Sequence, residues 1–281
     1  RGKDAPALLL QAARRLEPID PALSRATYLD ALSAGIFAGR LAGPGGDVLE
    51  VSRAAAAAPP PPVPRSPDLL LEGLAAHYND GYAAGLPILR RALAGFGDDL
   101  ASEEELRWLG LACTAAEHAW DDDRWEELSA RYVELARADG ALSELPLALS
   151  TRSRRLLLAG ELGAAAKVIA EVAAAADATG SSLAPYGALS LAALRGDRDE
   201  LAALTRATAR DVTERGEGTG ITMASLANAL LSNGLGRYDE ALVHAQSAVA
   251  HPDDVGSPNW AIVELVEAAV RSGATQVAAE A

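Results

Sequence analysis

The sequence has few of the residues that give a protein its chemistry. Cysteine occurs once in 281 residues, as Cys113, which excludes an internal disulfide, a CxxC redox pair and a multi-cysteine zinc site. The four histidines show neither an HExxH motif nor the i, i+4 spacing of a helical metal site. No GxSxG elbow and no SxxK motif is present. We therefore expect no catalytic residues, no metal ligands, no cofactor and no enzyme activity in this segment.

Basic residues and long apolar runs are also scarce. The chain has 25 lysine and arginine residues against 39 aspartate and glutamate residues, which gives a net charge of −14. Such a surface is unfavourable for binding nucleic acids or anionic membranes. No apolar run reaches the ~18 residues of a membrane-spanning helix, and no signal-peptide pattern follows the N-terminus. We expect a cytoplasmic segment that binds neither nucleic acid nor membrane.

The apolar part of the composition predicts an all-α fold. Aromatic residues make up 4% of the chain and hydrophobic residues 49%, so alanine and leucine supply most of the apolar surface. This balance favours closely packed helices over a β-sandwich or barrel. Helix starts are predicted where a capping side chain precedes a proline, at Asp20-Pro21, Ser66-Pro67 and Ser257-Pro258. Helix stops are predicted at Gly140, Gly160, Gly180, Gly196, Gly216, Gly236 and Gly273.

One proline-rich stretch interrupts the helical pattern. Four consecutive prolines, Pro59 to Pro62, are followed by Val63 and Pro64, and such a run cannot continue a helix. The stretch reads as a stiff spacer, with a motif for a proline-binding domain as the alternative. We place the domain boundary here, with N-terminal helices in residues 1–64 and a helical array in residues 65–281. The glycine-rich turn at residues 43–46 lacks the following GKS/T of a phosphate-binding loop.

A weak internal repeat indicates the kind of helical fold. The stretch Gly236-Arg237-Tyr238-Asp239-Glu240-Ala241 resembles the turn and second-helix start of a tetratricopeptide repeat, with Pro252 near the closing proline. Similar junctions, spaced 36 to 43 residues apart instead of the tetratricopeptide spacing of 34, occur at Asp80-Gly81-Tyr82, Asp123-Arg124-Trp125, Gly160-Glu161-Leu162 and Gly196-Asp197-Arg198. We therefore predict a degenerate tetratricopeptide-like α-solenoid of stacked helical hairpins, a fold that typically binds a partner or ligand on a concave surface.

The candidate binding residues are aromatic. They are Trp108, Trp120, Trp125, Tyr82 and Tyr186, in a chain otherwise poor in aromatic side chains. Clustered aromatic side chains can anchor a protein partner or stack on a ligand, and the alternative is that they fill the core of an alanine-rich array. Neither the acidic run Asp121–Asp123 nor the segment His251–Asp254 has the pattern of a calcium loop. We interpret the first as a helix start and the second as an inter-helix loop.

Several short motifs, taken in order, resemble the middle region of the large ATP-binding LuxR-type (LAL) transcriptional regulators. The residues that carry the resemblance are Leu16–Leu23, Glu105–Leu109, Pro146–Leu149, Arg215–Gly218, Gly234–Ala241 and Glu264–Ala269. The resemblance implies an upstream ATPase module, this helical segment as a sensor or interaction part, and a downstream helix-turn-helix. The chain contains no Walker lysine loop and no DNA-binding helix, so ATP hydrolysis and DNA binding are not carried over to any residue.

Three functions remain open at this point. The first is a non-catalytic sensor or protein-interaction segment of such a regulator, which binds a protein partner or small effector on a concave helical surface. The second is a structural spacer between the ATPase and DNA-binding domains. The third is a free-standing helical-repeat binding protein. An enzyme built on a helical scaffold would need a convergent set of polar residues that the sequence does not reveal.

Overall fold

The computed structural model describes residues 2–97, 100–251 and 257–281, and for residues 257 and 258 it describes the backbone alone. Within this part of the chain there are fifteen α-helices, two short 3-10 helices at Gly2–Asp4 and Gly39–Leu41, and no strand, which confirms the all-α prediction. The side chain of Ser257, a predicted cap, lies outside the described part of the chain, as do Pro252 and most of the loop predicted at His251–Asp254.

The α-helices follow one another along the whole described chain. Their bounds are α1 Ala5–Leu16, α2 Pro21–Ala38, α3 Val48–Ala57, α4 Ser66–Asp80, α5 Tyr82–Gly95, α6 Ser102–His118, α7 Asp122–Ala138, α8 Leu145–Leu158, α9 Leu162–Thr179, α10 Tyr186–Arg195, α11 Arg198–Arg215, α12 Gly218–Gly234, α13 Tyr238–Val249, α14 Ser257–Ser272 and α15 Thr275–Glu280. Within the described residues, no helix combines the length and the apolar character needed to cross a bilayer.

Helix starts agree with the sequence where an aspartate caps the helix. Asp20 has extended backbone and its side chain accepts a hydrogen bond from Leu23 N, with Pro21 as the first helical residue. At α4 the prediction is wrong by one residue. Ser66 is itself the first helical residue, and the Asp68 carboxylate accepts from the backbone N–H of Arg65 instead. Both arrangements satisfy an N–H group that would otherwise lack a partner at the helix start.

The chain divides into two compact units, Arg1–Gly140 and Ala141–Ala281. This division differs from the expected boundary between residues 64 and 65, which lies inside the first unit. There, Arg25 of α2 forms an ion pair with Asp68 of α4, so the helices before and after the proline stretch belong to one packed body.

Each unit is a run of helical hairpins. We call the first helix of a hairpin its A helix and the second its B helix. In the first unit the A helices α2, α4 and α6 contact one another in order, and the B helices α3, α5 and α7 each pack on their own A helix. In the second unit α8, α10, α12 and α14 form the corresponding series, with α9, α11 and α13 as B helices. This pattern is the tetratricopeptide-like stacking that the repeat predicts.

Small residues allow the two helices of a hairpin to approach closely. A Cβ added to Gly85 of α5 would lie 2.7 Å from the Cβ of His77 and 2.8 Å from the carbonyl oxygen of Gly73 in α4. A Cβ on Gly73 would in turn lie 2.7 Å from Leu89. In the second unit, Ala241, Ala245 and Ala248 of α13 are fully buried. The apolar core is therefore thin and built largely by short side chains and leucine.

Candidate functional site

The five candidate aromatic residues do not form one cluster. Trp125 is buried in the first unit, and Tyr186 is buried in the second unit, beside Met223 and Val212. The hydroxyl of Tyr186 donates a hydrogen bond to Glu217, whose other carboxylate oxygen accepts from Arg215 at 2.8 Å. Burial, followed by the charge and hydrogen bond of Glu217, raises the pKa of Tyr186 well above its usual value. These two side chains contribute to the cores.

A groove of about 570 Å³ opens in the first unit beside the proline segment, which we define as residues 59–64. Its walls come from α2, the first turn of α4 and the first turns of α6. Ala22 and Leu29 line it from α2, Val63 from the proline segment and Trp108 from α6. The volume lies in the range of ~300–1,000 Å³ that is usual for small-molecule sites, and apolar side chains with a few charged groups are the usual lining.

A buried arginine holds the proline segment against the helices. The side chain of Arg25 is 6% exposed, and its Nε lies 2.7 Å from Oδ1 of Asp68. Its two terminal nitrogens donate to Glu72 at 3.0 Å and to the backbone carbonyl of Pro59 at 3.2 Å. A buried guanidinium is stable only when its donors are paired, and here they join α2, α4 and the start of the proline segment.

The other wall of the groove is fixed by two further ion pairs. Trp108 is 3% exposed, and the guanidinium of Arg107 lies 4.5 Å from the centre of its ring. Arg107 also forms an ion pair with Asp30 of α2 at 2.6 Å. Burial raises the pKa of the Asp30 carboxyl, and the charge and hydrogen bond of Arg107 act to lower it. At the mouth, Arg65 donates to both carboxylate oxygens of Glu104, at 2.8 and 2.9 Å. The charged groups beside the groove are therefore already paired within the protein.

The remaining two aromatic residues lie at neighbouring hairpin turns of the first unit. Tyr82 begins α5, and its hydroxyl donates to the carbonyl oxygen of Ala119, just after α6, at 3.5 Å. The Tyr82 ring packs edge-on against His77, with 6.2 Å between ring centres, and the ring centres of His77 and His118 are 5.1 Å apart. Tyr82 is 41% exposed and Trp120 is 53% exposed. We call Tyr82 and Trp120 the aromatic patch.

The backbone of Trp120 is unusual. Its φ is +53°, and among the described residues it is the non-glycine residue with a positive φ. The equivalent turns after α8, α10 and α12 carry glycine, at Gly160, Gly196 and Gly236, with φ between +72° and +76°. All four turns are closed by the same bond, from the N–H of the next residue to the carbonyl five residues earlier. Trp120 therefore occupies a position that usually requires glycine.

Tryptophan at this turn explains why one predicted repeat junction is misplaced. The junction expected at Asp123-Arg124-Trp125 lies a few residues too late, because the turn is at Trp120 and α7 begins at Asp122. The turn at Trp120 lacks the glycine found at Gly160, Gly196 and Gly236, so no local signal in the sequence places the junction there. Asp121, from the acidic run, caps α7 by accepting a hydrogen bond from Arg124 N, which agrees with its reading as a helix start.

Sequence reasoning did not find the groove itself, since its lining residues are far apart in the chain and only Trp108 among them was a candidate. Within residues 2–97, 100–251 and 257–281, no three histidine, cysteine, aspartate or glutamate side chains converge into a group that could hold a metal ion. Cys113 is buried in α6. The groove and the aromatic patch present apolar, aromatic and charged side chains.

No model of a known protein family matches the sequence, and no curated protein matches it.

Proposed function

We propose that the chain is a non-catalytic sensor and interaction segment of a LuxR-type regulator of the LAL class, and that the groove beside the proline segment binds an effector or a partner. The observation that carries the binding role is the groove, with its apolar lining, its tryptophan and its fixed arginine pairs. Because these groups are paired before a ligand arrives, a ligand would lose little free energy to rearrangement of the site.

The regulatory part of the proposal rests on the ordered motifs that resemble LAL regulators. In that role the segment works in the cytoplasm between an upstream ATPase and a downstream DNA-binding domain, and makes no direct contact with nucleic acid. A ligand in the groove would change regulation only by binding one state of the whole regulator more tightly than the other. The proline segment offers a physical route, because a ligand in the groove touches both it and α2.

The binding role is tested by calorimetry with a panel of candidate effectors, using the full chain and two matched variants. Ala22→Trp places a large side chain in the groove from an exposed position on α2. Ala202→Trp makes the same change at an exposed position on α11 of the second unit. We expect the first variant to weaken effector binding at least about tenfold by filling the groove, and the second to leave it unchanged.

Two outcomes would contradict the binding role. One is an effector that binds Ala22→Trp as tightly as the original chain. The other is silence across the panel when the native protein responds to one of the same compounds. If deletion of one hairpin abolished regulation while Ala22→Trp left it intact, the segment would act as a spacer.

The regulator assignment has a separate test, the mass of the native protein together with its open reading frame. We expect a much larger product with a phosphate-binding loop upstream and a helix-turn-helix downstream. A product near 28.9 kDa would make this a free-standing helical-repeat binding protein, and the groove experiment would still apply to it.

A further inference from the structure

The cationic side chains that line the groove beside the proline segment are Arg25 and Arg65. All three guanidinium nitrogens of Arg25 donate within the protein, to groups of α4 and to the first carbonyl of the proline segment. Both terminal nitrogens of Arg65 donate to Glu104. A carboxylate or phosphate ligand would therefore have to break an existing ion pair before either guanidinium could neutralise it.

Hydrogen-bond acceptors of the groove, in contrast, remain available. Pro60, Pro61 and Pro62 line it, and a proline residue carries a carbonyl oxygen but no N–H. Among the residues that the structure describes, none donates a hydrogen bond to the carbonyl oxygens of these three prolines. This side of the groove can accept hydrogen bonds from a ligand and cannot donate any.

Asp20 adds an uncompensated negative charge to the lining. It lies at the start of α2, where its Oδ1 accepts the capping hydrogen bond from Leu23 N at 3.0 Å. Within the described part of the chain, its second carboxylate oxygen has no partner, and the residue is exposed. The other two carboxylates of the lining, Asp68 and Glu104, are paired with the two arginines. The charge left over in the groove is therefore that of Asp20.

We propose that the groove takes an organic cation, a primary amine on an apolar body, an inference that rests on the proposed binding role of the groove. The ammonium group lies against Asp20 and the carbonyl oxygens of the proline segment, which accept its N–H donors. The apolar body lies along Ala22, Leu29 and Trp108. Charge-assisted hydrogen bonds are roughly twice as strong as neutral ones, so the ammonium group sets the selectivity of the site.

The proposal is tested by calorimetry of the full chain, in neutral buffer, with ligands that share one body and differ in one polar group. Phenylethylamine is compared with phenylethanol and phenylpropanoate, and hexylamine with hexanol and heptanoate. We expect each amine to bind at least about tenfold more tightly than its alcohol, because its hydrogen bonds are charge-assisted. The acids should bind least, because both guanidinium groups of the lining are already paired.

Asp20→Asn removes the charge and keeps the helix cap, because asparagine caps a helix about as well as aspartate does. We expect this variant to bind each amine at least about tenfold more weakly, with an affinity close to that of the matched alcohol. The control is Asp47→Asn, the same change at the cap of α3, where Asp47 accepts from Glu50 N at 2.8 Å and does not line the groove. It should leave the affinity for both amines unchanged.

The amine assignment would be overturned by an acid that binds as tightly as its amine, by unchanged affinity of Asp20→Asn for the amines, or by a failure of both amines to bind. If Asp20→Asn did not fold, the order of the six affinities in the original chain would decide.

Ala22→Trp separates this failure from a failure of the proposed function. If an acid or an alcohol binds best and Ala22→Trp weakens it, the groove is a binding site and only the amine assignment is wrong. If the amines bind and Ala22→Trp leaves their affinity unchanged, they bind elsewhere on the chain, and both the amine assignment and the role of the groove are contradicted.

Discussion

The two units share one hairpin packing, and the described contacts between their hairpins include different kinds of polar pair. In the first unit the described contacts between hairpins include arginine–carboxylate pairs, from Arg25 to Asp68 and from Arg107 to Asp30. In the second unit they include amide and hydroxyl contacts, such as Asn233 of α12 donating to the Glu264 backbone of α14 at 2.9 Å. The first unit also holds three of the four tryptophans.

The loops between hairpins differ as well. Residues 58–65 separate α3 from α4, and their prolines cannot join either helix, whereas only Gly216 and Glu217 separate α11 from α12. The proline segment is held by Arg25 and borders the groove. A short connection brings the next A helix directly onto the previous hairpin. In the first unit, one loop and its anchoring arginine thus border a groove within the common packing scheme.

The largest expected effect comes from Arg25→Ala. It leaves the Asp68 carboxylate and the Pro59 carbonyl without their buried partner, which we expect to cost the first unit about 3–5 kcal/mol of unfolding free energy. The control is Arg237→Ala in the second unit, whose exposed pair with Glu240 three residues away should contribute less than about 1 kcal/mol. Urea unfolding, with hydrogen exchange resolved by helix, measures both. If both variants lost the same unfolding free energy, the buried arginine of the first unit would contribute no more than the exposed pair of the second.

Gly85→Ala is the next largest change. Its Cβ would lie 2.7 Å from the Cβ of His77, so α4 and α5 must move apart, at a cost of about 1–3 kcal/mol. Gly163→Ala in α9 meets nothing within 4 Å and should stabilise the second unit by up to about 1 kcal/mol through helix propensity. The measurement is the shift of the thermal midpoint of each variant. A stable Gly85→Ala variant would show that this hairpin is not closely packed.

A smaller effect is expected at the left-handed turn. Trp120→Ala and Trp120→Gly both remove the ring, so their difference isolates the backbone. We expect the glycine variant to be the more stable by about 1 kcal/mol, because only the alanine variant retains a Cβ in a left-handed conformation. The urea midpoints of the two variants give this difference directly. No difference between them would mean that the turn does not have the positive φ described.

The smallest expected effect is a pH dependence. Burial lowers the pKa of His77 from its usual value of 6.5. Below about pH 6.5 the unfolded chain therefore takes up a proton that the folded chain does not, and the unfolding free energy falls until the pH reaches the folded-state pKa. The pKa of His244 in the second unit is also lowered by burial, with Glu240 opposing, so that unit should respond in the same direction.

His77→Gln should remove the response from the first unit only. Hydrogen exchange of α4 and α13 at about pH 7.5 and about pH 5.5 reads the two units separately. If His77→Gln changed the hydrogen exchange of neither α4 nor α13 at about pH 5.5, His77 would not be the group responsible for the pH response.

Local signals in the sequence predicted most of the fold. Glycines at helix ends, Asp20 before Pro21 and the spacing of the repeat are short-range features, and each acts within one hairpin. The contact that joins the helices on either side of the proline segment was not predictable in this way, because Arg25 and Asp68 are 43 residues apart. The groove depends on the same long-range contact. Trp120 was chosen as an aromatic residue, but its left-handed backbone has no signature in a single sequence.

The central claim is that the groove beside the proline segment binds a ligand, and fluorine NMR of the chain labelled with 5-fluorotryptophan tests it most directly. The four resonances, assigned by single substitutions with phenylalanine, report on the groove through Trp108, on the aromatic patch through Trp120, on the first core through Trp125 and on the second unit through Trp260. With an effector from the panel, we predict a shift of the Trp108 resonance and an unchanged Trp260 resonance. A ligand that shifts Trp260 while leaving Trp108 unchanged would contradict the account.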